Sequence, residues 1–292
     1  MRRGPTLAPF KPQTFFVFVM TPALVVLTDF FAVSNCALSY AAGLAVPLRA
    51  HLVLLHVRHD GLLSPEEYTH RYARHERQTE RALHELADSQ PVPTQVEISE
   101  AFLPDAVAEA VRHHHPELLV LGRPGTAVQP AEIIVSTAMD LLRHVPYPLL
   151  TVPTVGWNTF PPRRLVLAVD GAEFSLYKNQ EIVKDMLDFL QGTLSILHVT
   201  NKKDPGSAAG HRVLKAVRHS DVAPISPDTE VHLVYHPDAA AGILQGAAEL
   251  QADLLIVVAR RHSLLGSLFH RSVTAQVICE SPIPVLVLPA LD

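Results

Sequence analysis

Cysteine is scarce in this chain, and long hydrophobic runs are missing. Only Cys36 and Cys279 occur among the 292 residues, and each lies in an apolar segment with helical periodicity. Such thiols are expected to be reduced and buried, because disulfide frameworks belong mainly to small secreted domains. No apolar stretch free of charges and helix breakers reaches about 18 residues, so a transmembrane helix is not expected. We therefore predict a cytoplasmic protein without a membrane partner.

The chain also lacks the positive charge that binding to nucleic acid requires. It carries 24 lysine and arginine residues against 29 acidic ones, for a formal net charge of -5 with histidine neutral. Because nucleic-acid phosphates are recognised by basic surfaces, the composition argues against a nucleic-acid partner. Hydrophobic residues make up 48% of the chain and charged residues 18%, which is typical of a globular protein with large buried sheets.

Patterns typical of catalysis are missing as well. No Ser-His-Asp or Cys-His arrangement occurs in a motif context, and no paired carboxylates stand in a defined setting. Among the 17 histidines, His113, His114 and His115 form a run at the end of a predicted helix. Successive helical positions point about 100° apart, so these rings cannot converge on one metal ion. We therefore expect neither a metal site nor an enzyme.

Residues 1–19 are predicted to form a tail. A basic start followed by the apolar run 15–20 resembles the beginning of a signal peptide. No small-residue cleavage site follows, and a strand-like run begins almost at once at Ala23. This favours a loose tail, or an extension upstream of a natural start at Met20.

Short aliphatic runs alternate with helical patterns along the first half of the chain. The runs predicted as strands are Ala23–Leu27, Leu52–Val57, Thr94–Ser99, Leu118–Leu121 and Pro148–Val152. Strands that alternate with helices form right-handed crossover units and a parallel sheet. Aliphatic runs without strict polar alternation are typical of strands covered on both faces. The sequence thus predicts an α/β fold.

The same pattern occurs a second time in the chain. His198 ends a strand as His56 does, and we interpret both rings as partly buried structural residues. From Gly122 onward the two copies align without gaps at a separation of 136 positions, so that Ser136 corresponds to Ser272. A repeat of this length indicates two similar domains rather than a solenoid, whose repeats run about 20–50 residues.

The predicted domain boundaries follow from this repeat. The first domain is expected to span residues 20–153 and the second residues 164–292. The segment between them, residues 154–163, is rich in turn-forming residues and is interpreted as a linker.

A glycine turn follows the fourth strand of the first copy. The strand ends at Gly122, Gly125 follows, and Val135-Ser136-Thr137 is predicted to open a helix. Backbone amides of such a turn and of a helix N-terminus can converge on a phosphate group. The second copy has no glycine at the three corresponding positions, which are Val258, Arg261 and Arg271.

These features together resemble a universal stress protein (UspA) domain in both halves of the chain. The resemblance is carried by residues 25–30, 54–57, 119–125 and 142–148, and it covers about residues 20–290. It implies two tandem five-stranded parallel α/β sandwiches of the Rossmann-like, adenine-nucleotide α-hydrolase-like type. It also implies that the halves pair through their last strands as an intramolecular pseudo-dimer, and it leaves open whether two chains form a homodimer.

The resemblance further implies an ATP site in the first domain. ATP-binding members of the family combine an Asp after the first strand with a pattern of three spaced glycines and a following Ser or Thr. The residues that match this site are Asp29, Val57, Gly122, Gly125, Ser136 and Thr137. Val135 stands where the third glycine is expected, and its branched side chain crowds a phosphate and disfavours positive φ. Pro124 removes one backbone donor from the turn.

The second domain keeps little of this pattern, since only Asp170 and Ser272 match it. For Asp170, a turn or helix cap is favoured over a nucleoside contact. A basic cluster occupies the region of the lost glycines and consists of Arg260, Arg261, His262, His270 and Arg271. The cluster fits either an anion site built from side chains or a solvated or inter-domain face, and the second interpretation is favoured.

Three functional hypotheses result. The first is a non-enzymatic stress-response module that binds ATP in its first domain only. The second is a ligand-free scaffold of the same fold that acts through protein partners, which the sequence leaves unknown. The third, with the least support, is a weak nucleotide hydrolase.

Overall fold

The computed structural model of the protein describes residues 21–28, 32–58, 72–123, 131–155, 159–177, 181–203, 207–226, 229–260 and 272–291. Within these residues, strands and helices alternate as the sequence predicts. The first half contains β1 (Ala23–Leu27), α1 (Ala32–Leu48), β2 (His51–Val57), α2 (Tyr72–Asp88), β3 (Thr94–Ser99), α3 (Leu103–His114), β4 (Leu118–Arg123), α4 (Ala131–His144) and β5 (Leu149–Pro153). The second half contains β6 (Arg164–Ala168), α5 (Ile182–Phe189), β7 (Thr193–Thr200), α6 (Ser207–Ser220), β8 (Val231–Tyr235), α7 (Ala239–Glu249), β9 (Leu254–Ala259), α8 (Val273–Glu280) and β10 (Val285–Pro289).

The strands form one continuous ten-stranded sheet in the order β3-β2-β1-β4-β5-β10-β9-β6-β7-β8. Neighbouring strands are parallel within each half, and β5 and β10 are antiparallel where the halves meet. This confirms the predicted fold class, two parallel α/β halves that pair through their last strands.

The junction of the halves has twofold pseudo-symmetry. Leu150 pairs with Leu286, and on either side of them Thr151 pairs with Val285 and Leu149 with Val287. Leu150 and Leu286 are corresponding residues of the sequence repeat, so this pair lies on the pseudo-twofold axis. Each half therefore presents the same surface to the other, as the subunits of a symmetric dimer do.

Helices cover both faces of the sheet, and a buried cluster lies on each face. Across the junction, α1 packs against α5 on one face, and α4 packs against α8 on the other. Because both faces of the sheet are buried, most of the strand sequences are continuous aliphatic runs. The helices thus add to the strand pairing that joins the halves.

A glutamate–histidine contact joins a strand to the following helix in each half, and the two residue types have exchanged positions between the halves. Glu97 of β3 lies 2.7 Å from His114 of α3, and His232 of β8 lies 2.8 Å from Glu249 of α7. The partners are 17 residues apart in both halves. Glutamate and histidine have therefore changed places between corresponding positions, and the strand-to-helix contact is kept.

Candidate functional site

The carboxyl ends of the strands lie at one edge of each half, where open α/β sheets bind ligands. Two matched histidines support this edge. Nδ1 of His56 lies 2.9 Å from the carbonyl oxygen of Thr28, and Nδ1 of His198 lies 2.8 Å from that of Val169. A carbonyl only accepts, so Nδ1 donates in both rings. Both rings are half-buried, as the sequence predicts, and each bond joins the end of a second strand to the residue that follows the first strand of its half.

Four of the six predicted nucleotide-site residues lie within the described part of the chain. Val57 is the half-buried last residue of β2, and buried Gly122 pairs with Val152 near the end of β4. Ser136 is exposed and Thr137 half-buried, both in α4. The other two, Asp29 and Gly125, lie outside the described residues.

The predicted start of α4 at residues 135–137 is wrong. The helix begins at Ala131, so Ser136 lies in its second turn. The sequence permits the earlier start, because Pro130 directly precedes the helix, where proline is tolerated, and Val135 does not interrupt it as glycine can. In the second half Ser272 does open its helix, since its side chain accepts the backbone N–H of Ala275 at 3.1 Å.

The position of α4 changes what Ser136 and Thr137 can offer a phosphate. Only the first four backbone amides of a helix lack a partner within the helix. Ser136 and Thr137 lie beyond the first four residues of α4, so their amides are not terminal. Any contact that these two residues make with an anion is therefore expected to use the side-chain hydroxyl groups.

In the second half, the aspartate at the end of the first strand is held by an arginine. Nε of Arg260 donates to one carboxylate oxygen of Asp170 at 2.9 Å, and Nη2 donates to the other at 2.8 Å. The same guanidinium donates to the carbonyl oxygens of Ala172 at 2.9 Å and Glu173 at 3.0 Å. The favoured interpretation of Arg260 as part of a solvated or inter-domain face is therefore wrong, because its charge is used inside the second half.

The alternative interpretation, an anion site built from the basic cluster, loses Arg260 for the same reason. Its other members, Arg261, His262, His270 and Arg271, lie outside the described residues. Asp170 itself is a turn residue, as favoured, because it accepts the backbone N–H of Ala172 at 3.0 Å. The ion pair between Asp170 and Arg260, sequence positions 90 residues apart, could not be read from local spacing.

The ion pair makes the stability of the second half depend on pH. Burial alone would raise the pKa of Asp170, but hydrogen bonds from Arg260 and from the backbone of Ala172 hold the pKa below its ordinary value. A carboxyl group with a lowered pKa in the folded state stabilises the fold above its ordinary pKa. That contribution is lost as pH falls through the folded-state pKa.

Arg260→Gln is expected to lower the free energy of unfolding by on the order of 1 kcal/mol at neutral pH, since the carboxylate is well exposed and partly screened. Thermal unfolding at pH 7 and near pH 3 measures the effect, which should shrink in acid. Lys215→Gln, which breaks the more exposed pair of Lys215 with Glu173, is the control and should cost less. An effect of Arg260→Gln that is unchanged in acid would contradict the role of Asp170.

Arg123, part of the glycine-turn motif, crosses to the other half of the molecule. Its guanidinium donates to the carbonyl oxygens of Cys279, at 2.8 Å, and Ser281 at the carboxyl end of α8. The side chain is buried, and burial lowers the pKa of the guanidinium. Carbonyls at a helix end lack partners within the helix and carry partial negative charge. Arg123 therefore caps α8 and is not available to a ligand at the edge of the sheet.

Sequence reasoning did not identify this role of Arg123, although the repeat holds a signal. The corresponding residue of the second half is Ala259, which has no group to make the reciprocal contact. An arginine that ends a buried strand in only one copy indicates a contact specific to that copy.

The part of the chain that the structure describes contains no feature of a membrane span or of a metal site. None of those helices combines the length and the apolar character needed to cross a bilayer. Among the same residues, no three side chains of His, Cys, Asp or Glu are grouped so that they could hold a metal ion.

The fold and its paired halves define a tandem Rossmann-like α/β protein. The family model for the universal stress protein family matches residues 20–153 and again residues 162–289. The chain therefore belongs to the universal stress protein family.

Solved structures show the same fold. A universal stress protein from Archaeoglobus fulgidus matches with a TM-score of 0.63 and 18% identity, covering 92% of this chain and 97% of that one. A putative universal stress protein from Pseudomonas aeruginosa matches with a TM-score of 0.56 and 16% identity, covering 92% and 94%. A functionally unknown protein from the same species matches at 0.55 and 17%, covering 94% and 95%. No curated protein matches the chain.

Proposed function

We propose that this member of the universal stress protein family is a non-enzymatic, cytoplasmic stress-response module that binds ATP in its first half only. The proposed site lies at the carboxyl edge of the sheet. It consists of Asp29, Val57, Gly122, Gly125, Ser136 and Thr137.

One observation carries the restriction to the first half. In the second half, the guanidinium of Arg260 holds both carboxylate oxygens of Asp170, the residue that corresponds to Asp29. In the first half, Pro124 stands at the position of Arg260, and proline has no charged group to offer a carboxylate. The family resemblance assigns a nucleoside contact to the strand-end aspartate, so Arg260 competes with that role in the second half alone.

The described residues of the first half are consistent with this site. Val57 ends β2 and Gly122 lies near the end of β4, and both strands are neighbours of β1 in the sheet. Ligands of open α/β sheets bind outside these carboxyl ends. A glycine at the end of β4 lets the backbone approach a bound group closely, because it carries no side chain.

Gly122→Val is expected to weaken ATP binding about tenfold or more, because a branched side chain enters the space that the nucleotide would fill. The substitution installs the residue found at the corresponding position of the second half, Val258. Calorimetric titration of the purified full-length protein with ATP measures the effect. The protein as purified should also be analysed for ATP that copurifies with it.

The strand-end aspartates provide a matched pair of variants. Asp29→Asn is expected to weaken ATP binding, and Asp170→Asn is expected to leave it unchanged. If the wild type binds no ATP, or if Gly122→Val and Asp29→Asn have no effect, ATP binding in the first half is excluded. Equal losses in the two aspartate variants would show that the site is not confined to the first half.

A second candidate function is a ligand-free scaffold that acts through protein partners. The early start of α4 favours it, because Ser136 and Thr137 then offer no helix-terminal amides to a phosphate. The absence of ATP binding in the titration would support this candidate. A weak nucleotide hydrolase has the least support, and it would require slow ATP hydrolysis that Asp29→Ala abolishes.

A further inference from the structure

A cleft of about 410 Å³ opens at the outer edge of the second half. It lies at the carboxyl ends of β7 and β8, next to α6 and the first residue of α7. The glycine turn of the family pattern follows the fourth strand of a domain, which here is β9. Strands β6 and β7 separate β9 from β8 in the sheet, so the cleft is not the place of the lost phosphate turn.

Four of the ten residues that line the cleft are basic or titrate to a cation, and none is acidic. The four are His198, Lys202, Arg212 and His236. Lys202 and Arg212 are exposed, and neither makes an ion pair with any residue that the structure describes. Two fixed positive charges therefore face this cleft in a chain whose formal net charge is -5.

Two carboxylates of the described residues near the cleft are engaged elsewhere. Asp170 is paired with Arg260. Asp238 caps α7, since its side chain accepts the backbone N–H of Ala241 at 2.8 Å. His198 donates Nδ1 to a carbonyl oxygen, so Nε2 is the ring nitrogen left to contact a ligand.

Two of the four basic lining residues have no basic counterpart in the first half. At corresponding positions in the first half, Asp60 stands for Lys202 and Ala101 for His236. The cleft shares His198 and Val199 with their counterparts His56 and Val57 in the first half, and Lys202 and His236 distinguish it from the first copy.

We propose that this cleft binds the phosphate group of a small organic phosphate monoester. Guanidinium and ammonium groups are the side chains that recognise phosphate most strongly, through charge-assisted hydrogen bonds. Arg212 supplies a guanidinium group and Lys202 an ammonium group. The volume of the cleft leaves room for an organic group beside the phosphate.

Calorimetric titration of the full-length protein with phenyl phosphate at constant ionic strength tests the proposal. We expect one saturable site per chain. A Lys202→Ala/Arg212→Ala double variant should weaken binding about tenfold or more. Inorganic phosphate, titrated in the same way, should bind more weakly than phenyl phosphate because it leaves the rest of the cleft empty.

The matched control is Lys203→Ala/Arg218→Ala, which removes the same charge from exposed positions next to Lys202 and further along α6, outside the cleft. It should retain wild-type affinity. Equal weakening in both double variants would show general electrostatic attraction and overturn the proposal. The absence of saturable binding, or equal affinity for the two phosphates, would also overturn it.

The variant Gly122→Val separates this site from the proposed ATP site. It should leave phenyl phosphate binding unchanged. A loss of phenyl phosphate binding in Gly122→Val would place the anion in the first half and contradict the assignment to the cleft. The two sites can therefore fail independently.

Discussion

Replacing Arg123 by methionine is expected to lower the free energy of unfolding by about 2–4 kcal/mol. Methionine keeps much of the apolar stem but donates no hydrogen bond, so the carbonyl oxygens of Cys279 and Ser281 lose the guanidinium. Ser281 is 1% exposed and Arg123 5%, so water cannot easily replace the lost donors. Each buried polar group left without a partner costs about 1–3 kcal/mol.

Thermal unfolding measures this loss, and the midpoint should fall by roughly 5–10 °C for a chain of this size. Arg112→Met is the matched control, because Arg112 is exposed and, among the described residues, its side chain bonds to the carbonyl oxygen of Ala108 in its own helix. It should change stability by no more than about 0.5 kcal/mol. Equal stability of Arg123→Met and the wild type would show that Arg123 does not cap α8.

The contacts of Arg123 and Arg260 could not be predicted from the local sequence pattern. Both lie at the end of the fourth strand of their half, in a region interpreted from the family pattern as facing a ligand or solvent. In the structure, each makes contacts inside the protein with residues that are distant in sequence. A guanidinium at a strand end can reach a ligand, a helix end or a carboxylate, and only the tertiary arrangement decides between them.

The repeat, in contrast, predicted the architecture well. Its gapless separation of 136 positions places the corresponding strands in register, and the paired Leu150 and Leu286 confirm that register at the junction. The start of α4 was missed because the prediction assumed that Val135 plays the part of a glycine. Without a glycine there, the helix extends back to Ala131.

Comparing the two copies can also reveal contacts that a single copy hides. Glu97 and His114 of the first half correspond to His232 and Glu249 of the second. An exchange of acid and base between two pairs of corresponding positions is the pattern expected of residues in contact. This exchange is visible in the sequence alone. It could have predicted that β3 contacts α3 and that β8 contacts α7.

The second large loss of stability is expected when either leucine on the pseudo-twofold axis is truncated. Leu150→Ala and Leu286→Ala should each lower the free energy of unfolding by about 2–4 kcal/mol, because both side chains are 0% exposed and leave a cavity. The two losses should be similar, since the residues occupy corresponding places on the axis. Denaturant unfolding of the single variants measures them.

The double variant tests whether the two halves form one core. Leu150 and Leu286 are directly paired across the junction and belong to the same buried cluster, so their contact is lost only once when both are removed. The decrease in the free energy of unfolding of the double variant should therefore be about 0.5–1 kcal/mol smaller than the sum of the decreases in the two single variants.

Leu24 provides the control for this coupling. It is also 0% exposed and belongs to the same cluster, but it lies in β1, which β4 and β5 separate from β10. At a strand spacing of about 4.8 Å, that separation is roughly 14 Å, beyond the distance at which losses usually couple. Leu24→Ala combined with Leu286→Ala should thus be additive. Additivity of Leu150→Ala with Leu286→Ala as well would contradict a shared core, and two separate unfolding transitions would show that the halves unfold independently.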